Sequence, residues 1–372
     1  MADKAATAPL TGLRVVEFTE NMVGPYIGLL LAALGAEVIK VERPGGESMR
    51  TRNKGLFASV NRGKKSVVLD MKKDGDKSAA MALVRTADIV TESFRPGVAD
   101  KLGIGYKGVS AVNPRAICVS ISAYGQTGPR SAEPAYDPII AGYAGIAAQT
   151  GQPGSPPDYA VGVAVADMAP VFAAVISIMG AVMQRNQTGR GQHLDVSMLD
   201  TALLFMMTRF GQYGADPASD GRRARVGAGV FAAGDGKYLA IHTAETHFWN
   251  SLLDVLGADD LAEFRDKSPS ERQRHAERLN GAIQAHFRTR GRDEWVKRLV
   301  EKGVPAGPVV DVDEVLKDPH LLARQAFEEA AGARYPRFPV RLPGLDAIAL
   351  APAVELGSDN RAVLAPLGKA TA

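Results

Sequence analysis

A succession of short apolar runs, each followed by a helical pattern, constrains this chain most. Gly12 to Glu42 reads as strand, turn, helix and strand: LRVVEF, a loop from Glu20 to Pro25, an apolar helix from Tyr26 to Leu34 stopped by Gly35, then AEVIKVE. Two apolar strands joined by a helix make a βαβ unit, which calls for a parallel sheet with right-handed crossovers. SVVLDM, ADIVTESF, AICVSIS and the run His193 to Met198 repeat the strand pattern, and Gly75 to Thr86 is an amphipathic helix. The expected fold class is α/β. Glu42 stands where a dinucleotide-binding domain places its ribose-binding acid. Gly24, Gly28 and Gly35 do not make the G-x-G-x-x-G spacing, which argues against a nicotinamide-dependent dehydrogenase.

The stretch Val161 to Asp200 carries the most chemical promise. A strand-like alternation ends at Asp167, an apolar helix runs from Met168 to about Gln187, and Gly189 sits in the C-terminal position that favours left-handed dihedrals. Asp167 therefore falls at a helix start. Asp is a preferred N-cap and Pro170 suits a first turn. The same place suits a nucleophile, because the positive helix end keeps a carboxylate ionised and a shielded carboxylate attacks activated acyl groups. Position alone leaves both readings open.

Two other segments present groups for an anionic ligand. Arg43 to Lys65 reads as a polar loop with Arg50, Arg52, Lys54, Arg62, Lys64 and Lys65 and no acid after Glu47, either a solvated basic loop or a holder of phosphates. Phe94-Arg95-Pro96-Gly97 closes a strand at the edge where open α/β sheets bind ligands, so Phe94 either stacks on a base or packs under the turn.

Composition removes several classes. The 372 residues carry 44 basic and 41 acidic side chains, a net charge of +3, with no basic stripe that would suit nucleic acid. The one cysteine, Cys118, lies in an apolar run and reads as a buried thiol. No CxxC or HExxH occurs and the six histidines are dispersed, so no metal is expected. MADKAATAPL lacks an apolar signal core, and the longest apolar run, Val171 to Met183, is too short to span a bilayer. The expectation is a cytoplasmic protein without a membrane partner. A composition shift near 215–225 marks a boundary. The expected organisation is a large domain over 1–215, a linker over 216–225, a small α+β domain over 226–310, and a linker with return to the large domain over 311–372.

In order along the chain, GLRVVEF, GPY, LAALGAEVIKVERPGG, NRGKKSVVLDMKKDG, ADIVTESFRPGVADKLGIGY, NPRAICVSISAYGQTGP, AYDPIIAGYAG, Asp167, QRNQTGRGQHLDVSMLD, and VPAGPV with DPHLLAR resemble the family III CoA-transferases. That group includes formyl-CoA:oxalate and carnitine CoA-transferases and the α-methylacyl-CoA racemases. The resemblance implies an interlocked homodimer, each subunit with a Rossmann-like large domain built from both chain ends and a smaller inserted domain. It implies transfer of CoA from an acyl-CoA donor to a free carboxylic acid, with CoA thioesters as substrates and no other cofactor. Carried over by motif, Asp167 is the nucleophile, and the CoA site comprises Arg43, Leu69, Asp70, Met71, Lys72, Ser93, Phe94, Arg95, Lys101, Pro134, Ala135, Tyr136 and Asp137. Tyr136 occupies the position where the racemases carry a proton-shuttling His, and a phenol near pKa 10 is a poor base for that task. Glu245 in AETHFW resembles a racemase Glu, which leaves epimerisation by Asp167 and Glu245 as an alternative, and CoA binding without chemistry as another. The transferase lid glycines are represented by Gly227, Gly229, Gly234 and Gly236.

Overall fold

The structure is a computed structural model and describes residues 8–151, 155–159, 162–217, 225–341 and 348–369. Val161 and most of the linker expected at 216–225 lie outside the described residues. The chain divides into two compact units: Met1–Thr150, Pro157–Ser219 and Ala326–Ala372 form the first, Gly151–Pro156 and Asp220–Gln325 the second.

In the first unit the six expected strands form one sheet: β1 (Arg14–Phe18), β2 (Glu37–Glu42), β3 (Lys64–Val68), β4 (Ile89–Glu92), β5 (Ile117–Ser122) and β6 (His193–Ser197). Every pairing is parallel and the order is 3-2-1-4-5-6, that of doubly wound sheets, with the strand order reversing between β1 and β4. The strands read as near-continuous apolar runs because helices cover both faces. Those helices are α1 (Val23–Ala33), α2 (Met49–Arg52), α3 (Lys54–Val60), α4 (Asp74–Thr86), α5 (Val98–Leu102), α6 (Tyr106–Val112), α7 (Asp137–Tyr143), α8 (Val165–Thr188), α9 (Met198–Phe205) and α10 (Met207–Ala215). One core gathers Val15, Ile27, Leu31, Ile117 and Val119 with Ala166, Ala174 and Ile178 of α8; the other gathers Val16, Ile39, Val67, Leu83 and Val90.

The segment 43–65, expected to be a basic loop, is largely helical and most of its charge is paired internally. Arg50 grips Glu42 through two 2.7 Å hydrogen bonds, Lys65 meets Glu37, Lys64 meets Glu17, and Arg62 meets Glu328. Arg62 also lies over the Tyr335 ring at 4.3 Å. Glu17, Glu37 and Glu42 precede the segment and Glu328 lies 266 residues from Arg62, so the absence of acids within the segment misled. Only Arg52 and Lys54 of the six have no partner of this kind among the described residues. Glu42 is committed to internal partners: burial pushes its carboxyl up, but the Arg50 and Ser66 hydrogen bonds and the Lys40 and Arg50 charges outweigh that and hold it below the ordinary value.

The C-terminal segment returns to the exposed edge of β3. Asp359 Oδ2 and Asn360 Oδ1 accept the Ser66 and Val68 backbone N–H groups at 2.9 and 2.8 Å, which blunts that edge. Within the stretch 311–372, read as linker and return, the first unit resumes at Ala326; Glu314 accepts hydrogen bonds from Arg292 and Lys237 and belongs to the second unit.

The second unit is α+β. A three-stranded antiparallel sheet of β7 (Ala228–Ala232), β8 (Tyr238–His242) and β9 (Ala306–Val309) packs with α11 (Thr246–Leu256), α12 (Pro269–Gln273), α13 (Ala276–Phe287) and α14 (Arg292–Glu301) around fully buried Trp249 and Trp295. Strand β7 carries two of the glycines expected in a lid or lies beside them. Gly227, just before it, has φ of 60°, and a Cβ there would fall 2.2 Å from Thr243 Oγ1. Backbone packing already demands glycine at that position.

Candidate active site

Helix α8 starts earlier than its sequence suggests. The run before Asp167 mimics strand alternation, but Ala166, Ala169, Ala174, Ile178 and Ala181 recur at helical spacing and all face the core. The N-cap is Ala164, and Asp167 is the third helical residue, making no side-chain cap hydrogen bond. Asp167 is therefore not the cap. Pro170 falls in the second turn instead of the first. Gly189 ends the helix with φ of 74°, as its position predicts. The 24 residues of α8 exceed the apolar run counted in the sequence; among the described residues α8 is the one helix long and apolar enough, by length and composition, to cross a bilayer.

Because α8 leads into β6 of a parallel sheet, its first turn lies toward the C-terminal ends of the strands. Asp167 is half-buried there. Its burial, with the charge of Asp137 adding to it, pushes its carboxyl up to about 6. The helix field favours the charged form, but burial and the neighbouring carboxylate outweigh it. At pH 7 about nine-tenths of Asp167 remains ionised, as a carboxylate more basic and so more nucleophilic than an ordinary Asp. The backbone donors of this turn are mostly engaged: Val165 N–H binds Val163 O at 2.9 Å and Asp167 N–H binds Asp137 Oδ1 at 2.8 Å. Engaged in this way, these two donors are not free to hold a developing oxyanion.

The remaining site residues expected from the sequence follow the C-terminal ends of the strands. Arg43 comes directly after β2. Its guanidinium is exposed, with Nε donating to Gly46 O at 3.1 Å and lying 3.7 Å from Glu20. Ser93, Phe94 and Arg95 come directly after β4; Ser93 Oγ accepts Glu20 N–H at 3.1 Å, so the β1 and β4 ends meet at the reversal of strand order. Phe94 is half-buried against the core and Arg95 is exposed. Lys101 is exposed on α5. Leu69, Asp70, Met71 and Lys72 follow β3. Leu69 is 3% exposed and packs in the core with Met71 against it; Asp70 Oδ1 accepts Lys72 N–H, and Lys72 itself is exposed. Pro134 and Tyr136 are exposed, the latter to 70%, Ala135 packs against the core, and Asp137 opens α7, 5% exposed.

Two residues here carry more than the sequence suggested. Asp137, read there as part of a CoA turn, has both oxygens engaged inside the unit, one by Asp167 N–H and the other by Tyr159 O–H at 2.6 Å. Tyr159 was not singled out at all; it ends a Pro- and Gly-rich loop, where nothing in its spacing marks it. Its phenol is pushed up to about 12 by that hydrogen bond, by burial and by the Asp137 and Asp167 charges. Glu245 lies in the second unit as the exposed N-cap of α11, with no side-chain cap hydrogen bond. Cys118 is buried, and burial with the Glu92 charge pushes its thiol up to about 12, so it is no nucleophile. Among the described residues no cluster of His, Cys, Asp and Glu is arranged to hold a metal ion.

Comparison with known proteins identifies the family. The family model for CoA-transferase family III matches residues 10–360. An acetyl-CoA:oxalate CoA-transferase of Acetobacter aceti is 36% identical, covering 91% of this chain and 90% of that one. A succinyl-CoA:mesaconate CoA-transferase of Haloarcula marismortui is 34% identical over 86% of this chain and 85% of that one. The crystal structure of a CaiB/BaiF family protein from Brucella suis superposes with a TM-score of 0.90 at 32% identity, covering 97% of this chain and all of that one. With its parallel sheet, its acid in the first turn of α8 and a family match spanning nearly its whole length, this chain belongs to CoA-transferase family III.

Proposed function

We propose that this enzyme moves CoA from an acyl-CoA donor to a free carboxylic acid through a covalent intermediate on Asp167. The observation that supports the reading is the half-buried Asp167 carboxylate in the first turn of α8, raised by burial and by the Asp137 charge. The Asp167 carboxylate attacks the donor thioester carbonyl, the C–S bond breaks, and a mixed anhydride and CoA thiolate result. The thiolate attacks the aspartyl carbonyl and expels the donor acid, leaving an aspartyl-CoA thioester. An acceptor carboxylate attacks that thioester, releasing thiolate and forming a second anhydride; the thiolate then takes the acceptor acyl group and Asp167 is regenerated. Thioester is exchanged for thioester, so the sequence balances without ATP or another cofactor. Water must be kept from the anhydride and thioester for transfer to outrun hydrolysis.

The CoA nucleotide is assigned to the exposed cations and the aromatic ring of the strand ends, Arg43, Arg95, Lys101, Lys72 and Phe94, with Ser93 beside them. Guanidinium forks and ammonium groups recognise phosphates, and a ring face stacks on adenine. Oxalate and mesaconate, named for the two relatives above, both carry two carboxylates, which makes short dicarboxylic acids the first acceptors to test. The large unit fits a Rossmann-like CoA-binding domain acting as part of an interlocked homodimer. Phe172, Ile176 and Met183 on α8 and Leu204, Phe205, Met207 and Phe210 on α9 and α10 are exposed apolar side chains that a second copy would cover.

The test is direct. Acetyl-CoA or succinyl-CoA is incubated with a panel of dicarboxylic acids, and new acyl-CoA is followed by mass spectrometry. Asp167→Asn is expected to abolish transfer, and wild type quenched with hydroxylamine is expected to carry a hydroxamate on the Asp167 peptide. Transfer at wild-type rate by Asp167→Asn overturns the reading. Rapid α-deuteration of a 2-methylacyl-CoA in D₂O with no adduct would establish epimerisation by Asp167 and Glu245 in its place.

A further inference from the structure

The start of α8 is held from outside the helix. The N–H of a third helical residue is one of the donors a helix cannot satisfy itself, and the Asp167 side chain does not supply a cap. Asp137, 30 residues earlier, accepts that N–H on Oδ1 at 2.8 Å. Its other oxygen accepts the Tyr159 phenol at 2.6 Å. Asp137 is 5% exposed, so water does not compete for either bond. A carboxylate bound on both oxygens has a single orientation, and the amide it holds fixes the Cα–Cβ direction of the residue that carries the reacting group.

We propose that Asp137 and Tyr159 are positioning residues for Asp167: Tyr159 locks the Asp137 carboxylate, which caps the start of α8 and places a fixed negative charge beside the attacking oxygen. The proposal rests on the reading of Asp167 as nucleophile. The chemistry gives that charge a use. When Asp167 attacks a thioester, its negative charge departs with the thiolate, and the repulsion from Asp137 is relieved as the anhydride forms. The neighbouring charge thus opposes the free carboxylate more than the acylated one, which favours the step. The elements packed against α8 bring other titratable groups: Tyr26 on α1, Tyr143 on α7, Cys118 on β5, His193 and Asp195 on β6, and Asp200 on α9. The charge that acts on Asp167 is nonetheless that of Asp137.

Two variants separate the parts. Asp137→Asn keeps an oxygen for the Asp167 N–H and removes the charge; Tyr159→Phe keeps the ring and removes the donor. The first readout is independent of turnover: the ¹³C carboxyl titration of Asp167, assigned by its loss in Asp167→Asn. In Asp137→Asn it moves to lower pH. The second readout is the single-turnover rate of adduct formation on the Asp167 peptide at saturating acyl-CoA, expected to fall by up to about 100-fold in each variant, the scale that follows from misplacing a reacting group by about 1 Å. Tyr159→Phe, which removes a single oxygen atom, carries the test if Asp137→Asn fails to fold. An unmoved Asp167 titration in Asp137→Asn, or wild-type adduct rates in Tyr159→Phe, overturns the proposal. A moved titration with no adduct on Asp167 in wild type supports the coupling of Asp137 to Asp167 and overturns the nucleophile reading instead, so the two failures are distinguishable.

Discussion

Asp167→Asn should make the protein more stable at neutral pH while removing its activity. The reasoning begins with the carboxyl, raised from 3.8 to about 6 by burial and by Asp137. A carboxyl whose folded pKa is raised contributes stability that is fully present below the unfolded value and is lost as pH rises through the folded value. At pH 7.5 the ionised Asp167 therefore opposes folding. A shift of about two units corresponds to about 3 kcal/mol as an upper bound. The side chain is half-buried, so solvent screening lowers that figure, and losing a favourable first-turn charge on α8 takes back about 0.3–1 kcal/mol. The net expectation is a gain of about 1–2 kcal/mol at pH 7.5.

The pH dependence distinguishes this cause from better packing. The gain should shrink through the window from about 6 down to 3.8, reaching about one third of its neutral value at pH 4.5. The assay is urea unfolding of wild type and variant at one protein concentration, which matters if chains associate, at pH 7.5 and pH 4.5. An Asn variant no more stable than wild type at pH 7.5, or one with the same gain at both pH values, would refute the electrostatic argument.

Arg43→Ala and Phe94→Ala should each weaken acyl-CoA affinity more than they slow single-turnover adduct formation, because both act at the end remote from the thioester; unchanged CoA affinity by calorimetry in both variants removes that placement of the nucleotide. Arg62→Met leaves Glu328 buried without its cation, and loss of one partner of a buried pair costs about 3–5 kcal/mol; urea unfolding should show it, and a loss under about 1 kcal/mol contradicts the buried pairing. Cys118 should resist iodoacetamide at pH 8 in the native protein and react after denaturation, since its thiol is pushed up to about 12; rapid native labelling counts against its burial.

The strands were legible because a parallel sheet covered on both faces writes its strands as contiguous apolar runs. All six strands overlap LRVVEF, AEVIKVE, SVVLDM, ADIVTESF, AICVSIS and His193 to Met198, although β3, Lys64–Val68, starts and ends before SVVLDM does. The start of α8 was not legible, because small residues at helical spacing look like alternation over so short a span. Strand β7 was hidden by its glycine. The pairing of charge was the least legible part. Arg62 finds Glu328 across 266 residues and Asp167 finds Asp137 across 30, and no local pattern records such partners. Tyr159 could be found only once the chain was folded.

The same limit explains what stands in place of a dinucleotide loop. In a doubly wound sheet the turn after β1 ordinarily uses glycines to bring backbone N–H groups to a pyrophosphate. Here that turn is fastened from beneath by buried ammonium groups. Lys40 Nζ donates to Thr19 O at 2.7 Å and Lys64 Nζ to Pro25 O at 2.7 Å, while both bind Glu17, which is fully buried. Burial lowers the Lys64 ammonium to about 8 against the opposing pull of Glu17, so the network sits under strong desolvation. Gly28 is part of the same arrangement. A Cβ there would fall 2.0 Å from Glu17 Oε2, so α1 accepts a glycine in its interior, at about 1 kcal/mol in helix propensity, to leave room for that carboxylate. Gly28 of this βαβ unit therefore accommodates an internal salt bridge.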